Sequence, residues 1–94
     1  MDNWPFDQPP NCAVISVKQI VEKGQPILHV THDEDDHGWQ FLTLDNANED
    51  DAVVVLFKNI LKLDDSLIEL ADMPPGWHAY RHSINDDWII EEYK

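Results

Sequence analysis

Two histidines enclose a run of four carboxylates near the middle of this 94-residue chain. His32 and His37 flank residues 33–36, Asp-Glu-Asp-Asp, and imidazole and carboxylate groups are the side chains that bind divalent cations. The spacing fits neither the zinc patterns built on paired Cys and His nor the twelve-residue calcium loop with its central glycine. We therefore interpret the run as a solvated acidic turn and predict no bound metal and no cofactor.

The chain offers no complete set of catalytic residues. Cys12 is its only cysteine and belongs to an apolar segment, a position typical of a buried, unreactive thiol. Ser16 lacks the Gly-x-Ser-x-Gly surroundings of a nucleophile elbow, and three scattered glycines do not make a phosphate loop. We predict that the protein is not an enzyme. A metal-dependent or cysteine enzyme that uses Cys12, His32 or His37 is kept as the third hypothesis.

Acidic residues dominate the charge of the chain. Nineteen Asp and Glu against six Lys and Arg give a net charge of -13, and residues 24–57 contain no Lys or Arg at all. Such a field attracts cationic proteins and repels nucleic acids and anionic membranes. The longest apolar run, residues 52–57, is also too short to cross a bilayer. We therefore expect a basic protein partner, no nucleic-acid partner and no membrane partner.

The candidate partner-binding residues are carboxylates in two predicted loops and two aromatic residues near the C-terminus. The loops flank the strand that contains Trp39, so we expect their fields to add. Trp39 itself is predicted to lie in the core because Phe41 shares its strand face, whereas aromatic side chains near a sheet edge can anchor a partner. The candidates are Asp33, Glu34, Asp35, Asp36, Glu49, Asp50, Asp51, Trp88 and Tyr93.

Short apolar segments alternate with turn signals along the chain. The length predicts one domain, residues 1–94, with an extended arm at 1–11 and a body at 12–94. Trp4 and Phe6 are expected to pin the arm to the body. The predicted fold class is α+β, with a single mixed, mainly antiparallel sheet of about five or six strands and short helices over one face. The N-terminus lacks the pattern of a signal peptide, so a cytoplasmic location is expected.

The first half of the chain predicts one strand with a short helix and then a hairpin. Residues 12–15 read as a strand, after which Ser16 and Gln19 match the capping box that starts a helix. The β-rich runs 27–31 and 38–44 lie on either side of the acidic run. Their proximity predicts an antiparallel hairpin.

The second half predicts a buried strand, two helical segments and two further strands. Residues 52–57 are apolar on both strand faces, which is typical of a central strand covered on both sides. Asp64 or Asp65 can cap a helix over 66–71, with Leu67, Ile68 and Leu70 directed inward. The remaining predicted elements are a helical turn from Phe57 to Leu61 and strands at 76–81 and 87–92.

Several of these segments resemble one bacterial family. Residues 12–16 and the Gly-Trp-x-Phe strand at 38–41 resemble a family first catalogued as a domain of unknown function and later grouped with the immunity proteins of polymorphic toxin systems. The Leu-Asp-x-Ser-Leu segment at 63–67 and the Pro-x-Gly segment at 74–76 resemble its C-terminal half. Gln40 stands where the family often has arginine, and Asp65 where proline is common.

The resemblance, which runs from about Cys12 to Arg81, implies a stoichiometric inhibitor that binds a cognate toxin and blocks its active site or substrate access. We therefore expect a small acidic binding protein of the immunity type, with a basic toxin as its partner. The alternative hypothesis is a regulatory or adaptor interaction domain without a toxin partner. The identity of the toxin and the oligomeric state stay open.

Overall fold

A six-stranded mixed sheet forms the framework of the protein. The computed structural model describes residues 4–45 and 49–93. The strands follow the order β4-β1-β3-β2-β5-β6 across the sheet, with β1 and β3 parallel and every other neighbouring pair antiparallel. This confirms the predicted mixed, mainly antiparallel sheet. The strands are β1 Ala13–Val17, β2 His29–His32, β3 Trp39–Leu42, β4 Ala52–Leu56, β5 Trp77–Tyr80 and β6 Ile89–Glu92.

The helical segments are short and follow or precede strands. They are α1 Lys18–Val21, α2 Phe57–Leu61, and 3₁₀ helices at Glu49–Asp51 and Asp65–Leu70. They do not form a clear layer over one face of the sheet, so that part of the predicted architecture is not observed. Over the described ranges, no helix has the length and apolar character needed to span a bilayer.

Aromatic rings form the centre of the core. Trp39 is 1% exposed, which confirms its predicted place in the core. Phe6 lies 4.6 Å from Phe57 and 5.2 Å from Trp39 between ring centroids, and Trp4 lies 5.2 Å from Phe57. The arm is therefore pinned as predicted, although its residues 1–3 lie outside the described ranges. Burial of such rings is a large part of the stability of a small domain.

The predicted capping box at Ser16 is wrong. Strand β1 continues to Val17, and α1 starts without a side-chain cap. Ser16 is fully buried, and its Oγ donates a hydrogen bond to the Phe41 carbonyl at 2.8 Å. Gln19 Nε2 donates instead to Asp51 Oδ2 at 3.0 Å. The pairing of β1 with β3 gives Ser16 a buried acceptor, and this tertiary hydrogen bond replaces the local cap.

The prediction of a central strand at residues 52–57 is also wrong. Strand β4 lies at one edge of the sheet and pairs with β1 alone among the described strands. Val54 is 68% exposed and Leu56 is 38% exposed. A continuous apolar run usually indicates a strand that is buried on both faces. Here the run instead forms an exposed apolar strip along the edge of the sheet.

The segment after α2 forms a 3₁₀ helix with a capped start. The Asp64 Oδ1 atom accepts a hydrogen bond from the Ser66 backbone N–H at 2.9 Å, which confirms a predicted cap. Leu67 and Leu70 are buried at the three-residue spacing of a 3₁₀ helix. Ile68 is 52% exposed, so its predicted inward direction is wrong.

A buried arginine ties this 3₁₀ helix to the sheet. Arg81 is 2% exposed and donates from Nε and Nη2 to the Ile27 carbonyl, from Nη1 to Ser66 Oγ at 3.0 Å, and from Nη2 to Asp64 Oδ2. Its guanidinium carbon lies 4.1 Å from the ring centroid of Trp88. Burial alone would raise the pKa of Asp64, but the hydrogen bonds from Ser66 and the interaction with Arg81 outweigh it and lower that pKa.

Candidate binding surface

The acidic turn between β2 and β3 is held by its own carboxylates. Asp33 Oδ1 accepts hydrogen bonds from the backbone N–H groups of Asp35 at 2.7 Å and Asp36 at 3.2 Å, and Asp36 Oδ1 accepts one from Gly38 at 2.7 Å. Such local bonds fix an Asx-type turn. The side chains of residues 33–36 are all exposed, and none forms an ion pair with another described residue. The turn therefore presents fixed, uncompensated negative charge.

A recess of about 310 Å³ opens beside this turn. Its volume lies at the lower end of the range for small-ligand pockets. Among residues 4–45 and 49–93, the lining contains no Lys or Arg. It consists of His29, Thr31, His32, Asp33, Glu34, Asp35, Gln40, Leu42, Gly76 and Tyr93.

Glu34 and Tyr93 both line the recess, and both lie next to Gly76. Gly76 has φ +88°, and a Cβ atom added there would lie 3.1 Å from Glu34 Oε1. The backbone N–H of Tyr93 donates to the Gly76 carbonyl at 2.8 Å, and the Tyr93 side chain is 61% exposed. A glycine at this position lets the carboxylate of Glu34 lie close to the backbone at the start of β5.

A histidine pair forms part of the sheet surface next to the recess. His29 Nε2 lies 3.0 Å from His78 Nδ1, and His78 Nε2 lies 3.7 Å from Glu91 Oε1. The His78 ring is 4.8 Å from the Tyr93 ring. Partial burial, and secondarily the proximity of His78, lower the pKa of His29. The lowered pKa favours the neutral form of His29, so this residue offsets little of the charge of the acidic turn.

The structure brings some of the predicted contact residues together. Asp33, Glu34, Asp35 and Tyr93 line one recess, and Asp36 belongs to the same turn without contributing to the lining. Tyr93 arrives there because β6 runs antiparallel to β5 and ends beside the start of β5. This group combines carboxylates with an exposed aromatic ring, which are the two features that bind a cationic side chain.

The second acidic loop lies elsewhere. Glu49, Asp50 and Asp51 form the 3₁₀ helix before β4, which begins opposite Val17 at the far end of β1. The two loops therefore lie at opposite ends of β3, a strand length of about 10 Å. That exceeds the Debye length of about 8 Å at physiological salt. Each loop therefore forms a separate charged patch at this salt, and the addition of their fields on one partner stays a prediction.

Trp88 lies away from the recess and inside the Arg81 network. Its ring is partly buried under the Arg81 guanidinium, and its Nε1 donates to Ser66 Oγ at 3.2 Å. These contacts give Trp88 a structural role in the 3₁₀ segment.

Sequence reasoning did not single out His29, Thr31 and Gln40 as site residues. The alternation of strand residues around buried Val30 could have indicated them, because it places His29 and Thr31 on the face opposite to Val30. The register then sets Thr31 beside Gln40 and His78, and that pairing is not visible in the local pattern.

The residues considered for metal or thiol chemistry have other contacts. His32 is buried, stacks on Trp39 with ring centroids 4.0 Å apart, and places Nδ1 2.8 Å from the Met73 carbonyl. Within residues 4–45 and 49–93, no three His, Cys, Asp or Glu side chains are arranged to hold a metal ion. Cys12 precedes β1, is only half-buried, and its Sγ lies 3.1 Å from Gln8 Oε1, so the predicted buried strand position is wrong.

A second recess, of about 490 Å³, lies around Ile20, Pro26, Leu63 and Ile84. Its lining includes one carboxylate, Asp64, and that group is paired with Arg81. This recess therefore lacks the free negative charge of the acidic turn.

A scan against protein-family models found no match, and searches of curated proteins and of solved structures found no similar protein.

Proposed function

We propose that this chain is a small acidic binding protein that receives a cationic side chain of a basic partner protein in the recess beside residues 33–36. The single observation that carries the proposal is the recess itself, where three exposed carboxylates and Tyr93 come together in a lining that has no Lys or Arg among the described residues. An Arg or Lys side chain there would gain charge-assisted hydrogen bonds and a contact with the aromatic ring.

The rigidity of the acidic turn supports this proposal. Asp33 and Asp36 are held by backbone hydrogen bonds, so little conformational entropy is lost when a partner docks. Long-range attraction by a net charge of -13 would speed the encounter with a basic protein, and the rate would fall as salt rises.

We further propose that the partner is a bacterial toxin and that the chain is a cytoplasmic immunity-type inhibitor that covers the active site of the toxin. The resemblance at residues 38–41, 63–67 and 74–76 supports this choice of partner. If the toxin is a nuclease, its cationic substrate cleft would face carboxylates that match the charge of phosphate. The proposal assigns no catalytic role to the chain.

The first experiment tests the recess with a defined probe. An arginine-rich peptide is titrated into the isotope-labelled protein, and backbone amide NMR signals are followed. We expect the largest shifts at Thr31, Gln40 and Tyr93. The triple variant Asp33→Asn, Glu34→Gln, Asp35→Asn should weaken binding by about tenfold or more.

The matched control carries the same change in net charge at exposed positions away from the recess, Asp65→Asn, Asp86→Asn and Asp87→Asn. Equal losses in both triple variants would show that net charge alone attracts the peptide. That result would contradict the proposed recess.

The second experiment tests the choice of partner. The native protein is used to purify associated proteins from its own cells, and any basic protein recovered in equal amount is expressed with and without this chain. Growth inhibition that the wild type relieves and the recess variant does not relieve is the expected result. Stoichiometric binding to a protein that does not inhibit growth would instead favour the adaptor alternative.

A further inference from the structure

The edge formed by β4 has the composition of a pairing surface. Its residues, Ala-Val-Val-Val-Leu, include no charged or proline residue, although natural edge strands usually carry such residues to prevent pairing. At the other edge of the sheet, β6 carries Glu91 and Glu92. Strand β4 therefore has the composition of an edge that is open to pairing, whereas β6 has the composition of a protected edge.

The hydrogen-bond pattern shows which backbone groups of β4 face outward. The Phe57 N–H donates to the Cys12 carbonyl at 2.9 Å, on the side of β1. Because alternate residues of an antiparallel strand bond to the same neighbour, Val53 and Val55 also face β1. Ala52, Val54 and Leu56 therefore direct their backbone N–H and C=O groups to the free edge.

Apolar side chains border this edge on both faces of the sheet. On one face Val54 is 68% exposed and Leu56 is 38% exposed. On the other face Val21 and Leu63, which are 41% and 56% exposed, line a groove of about 170 Å³ next to Val55. Pairing at this edge would remove apolar surface from water on both faces as well as satisfy the backbone groups.

The charges beyond the ends of β4 identify the occupant as a second copy of the same strand. Asp50 and Lys58 are both exposed and lie four residues before and four residues after Val54. In an antiparallel pair with its two-fold axis at Val54, the 3₁₀ helix with Asp50 in one copy lies at the same end of the strand pair as the start of α2, with Lys58, in the other. The same register pairs Ala52 with Leu56 and Val54 with itself, so all the outward backbone groups of the three residues are matched.

We propose that two copies of this chain associate through antiparallel pairing of their β4 edges, with Val54 on the two-fold axis, to form a continuous twelve-stranded sheet. This interface is separate from the recess of the proposed function. The Asp33–Asp36 turn joins β2 to β3, and strand β1 lies between β3 and the paired edge. Each dimer would thus keep two accessible recesses.

Sedimentation velocity of the full chain tests the proposal across protein concentrations up to about 200 µM, in about 0.15 M NaCl, where the Debye length is about 8 Å. We expect the wild type to form a dimer. Val54→Lys should raise the dissociation constant about 100-fold or more, because two like charges would face each other across the axis. Ile89→Lys on β6, also an exposed apolar position, is the control and should leave the dimer intact.

A charge exchange tests the antiparallel orientation of the two strands. Asp50→Lys alone and Lys58→Asp alone each bring like charges together at both ends of the strand pair and should weaken the dimer about tenfold. The double variant should restore the wild-type dissociation constant. A wild type that stays monomeric, a dimer lost in Ile89→Lys, or a double variant as weak as the single variants would overturn the proposal. Circular dichroism confirms that each variant is folded before it is counted.

Discussion

Removal of the Asp64 charge is the most informative test of how the 3₁₀ segment is held against the sheet. The change Asp64→Asn keeps an oxygen that can accept the capping hydrogen bond from Ser66 and removes the negative charge that faces Arg81. Arg81 is 2% exposed and the Asp64 side chain is 19% exposed. The substitution therefore leaves a buried guanidinium without its counter-charge.

The size of the effect follows from this burial. Removal of one partner from a fully buried ion pair costs about 3–5 kcal/mol, and a hydrogen bond to a charged group contributes about 1.5–3 kcal/mol. Water reaches part of the Asp64 carboxylate, which screens the pair, so we expect a loss of about 2 kcal/mol in the free energy of unfolding. Asp64→Ala also removes the cap and should cost about 1 kcal/mol more.

Urea unfolding at a single protein concentration, followed by tryptophan fluorescence, measures these values. With a slope of about 1 kcal/mol per molar urea, the midpoint of Asp64→Asn should fall by about 2 M. Asp65→Asn makes the same charge change at an exposed neighbour and should shift the free energy by less than about 0.5 kcal/mol. If Asp64→Asn is as stable as Asp65→Asn, the Asp64–Arg81 pair does not stabilise the fold as expected.

The pH dependence gives an independent check of the same pair. The pKa of Asp64 is lower in the folded state, so its contribution is present above the unfolded-state pKa of about 3.9 and is lost as pH falls through the lower folded-state value. The difference between wild type and Asp64→Asn should therefore shrink at the acid end of the range. A difference that stays constant down to about pH 2 would contradict the assignment.

Three further predictions concern other parts of the fold. Because the folded state lowers the pKa of His29, its contribution to stability is complete above about pH 6.5 and falls as pH decreases toward the folded-state pKa. His29→Asn should therefore flatten the profile of stability against pH between about pH 7.5 and 5.5. Equal flattening by His82→Asn, at an exposed site, would count against this role of His29. Ser16→Ala removes a buried hydrogen bond and should cost about 1 kcal/mol in urea unfolding, so an unchanged midpoint would show that the bond contributes little. Gly76→Ala and Gly24→Ala place a side chain at φ +88° and +73° and should each lower the melting temperature through a cost of about 1 kcal/mol; a rise in either would show that the backbone relaxes.

Elements whose residues face a single core were predictable from local patterns. The proximity of two β-rich runs predicted the β2–β3 hairpin, and the burial of Val30 and Phe41 on one face fixes its register, because a shift of one residue would expose these side chains. Asp64 was recognisable as a cap because its hydrogen bond is local. Ser16 carries the same kind of signal, but a buried acceptor on β3 competes successfully for its hydroxyl group.

Features that depend on the order of strands were not predictable in this way. The position of β4 at an edge follows from how β1 and β3 pair, and its composition alone resembles that of a central strand. The exposure of the Asp33–Asp36 turn was expected from its charge. The recess beside it was not, because Gly76 and Tyr93 reach it only through the pairing of β2 with β5 and of β5 with β6.

The position of Phe6 between Trp39 and Phe57 has a consequence for folding during synthesis. During synthesis Phe6 emerges before the rings that it covers, so the interior stays open until Phe57 has been made. Contacts between such distant positions slow folding because the loop between them must close first. We therefore expect that proteolytic removal of the segment up to Pro10 exposes the rings of Trp39 and Phe57 to water. The remaining chain should then be prone to aggregation.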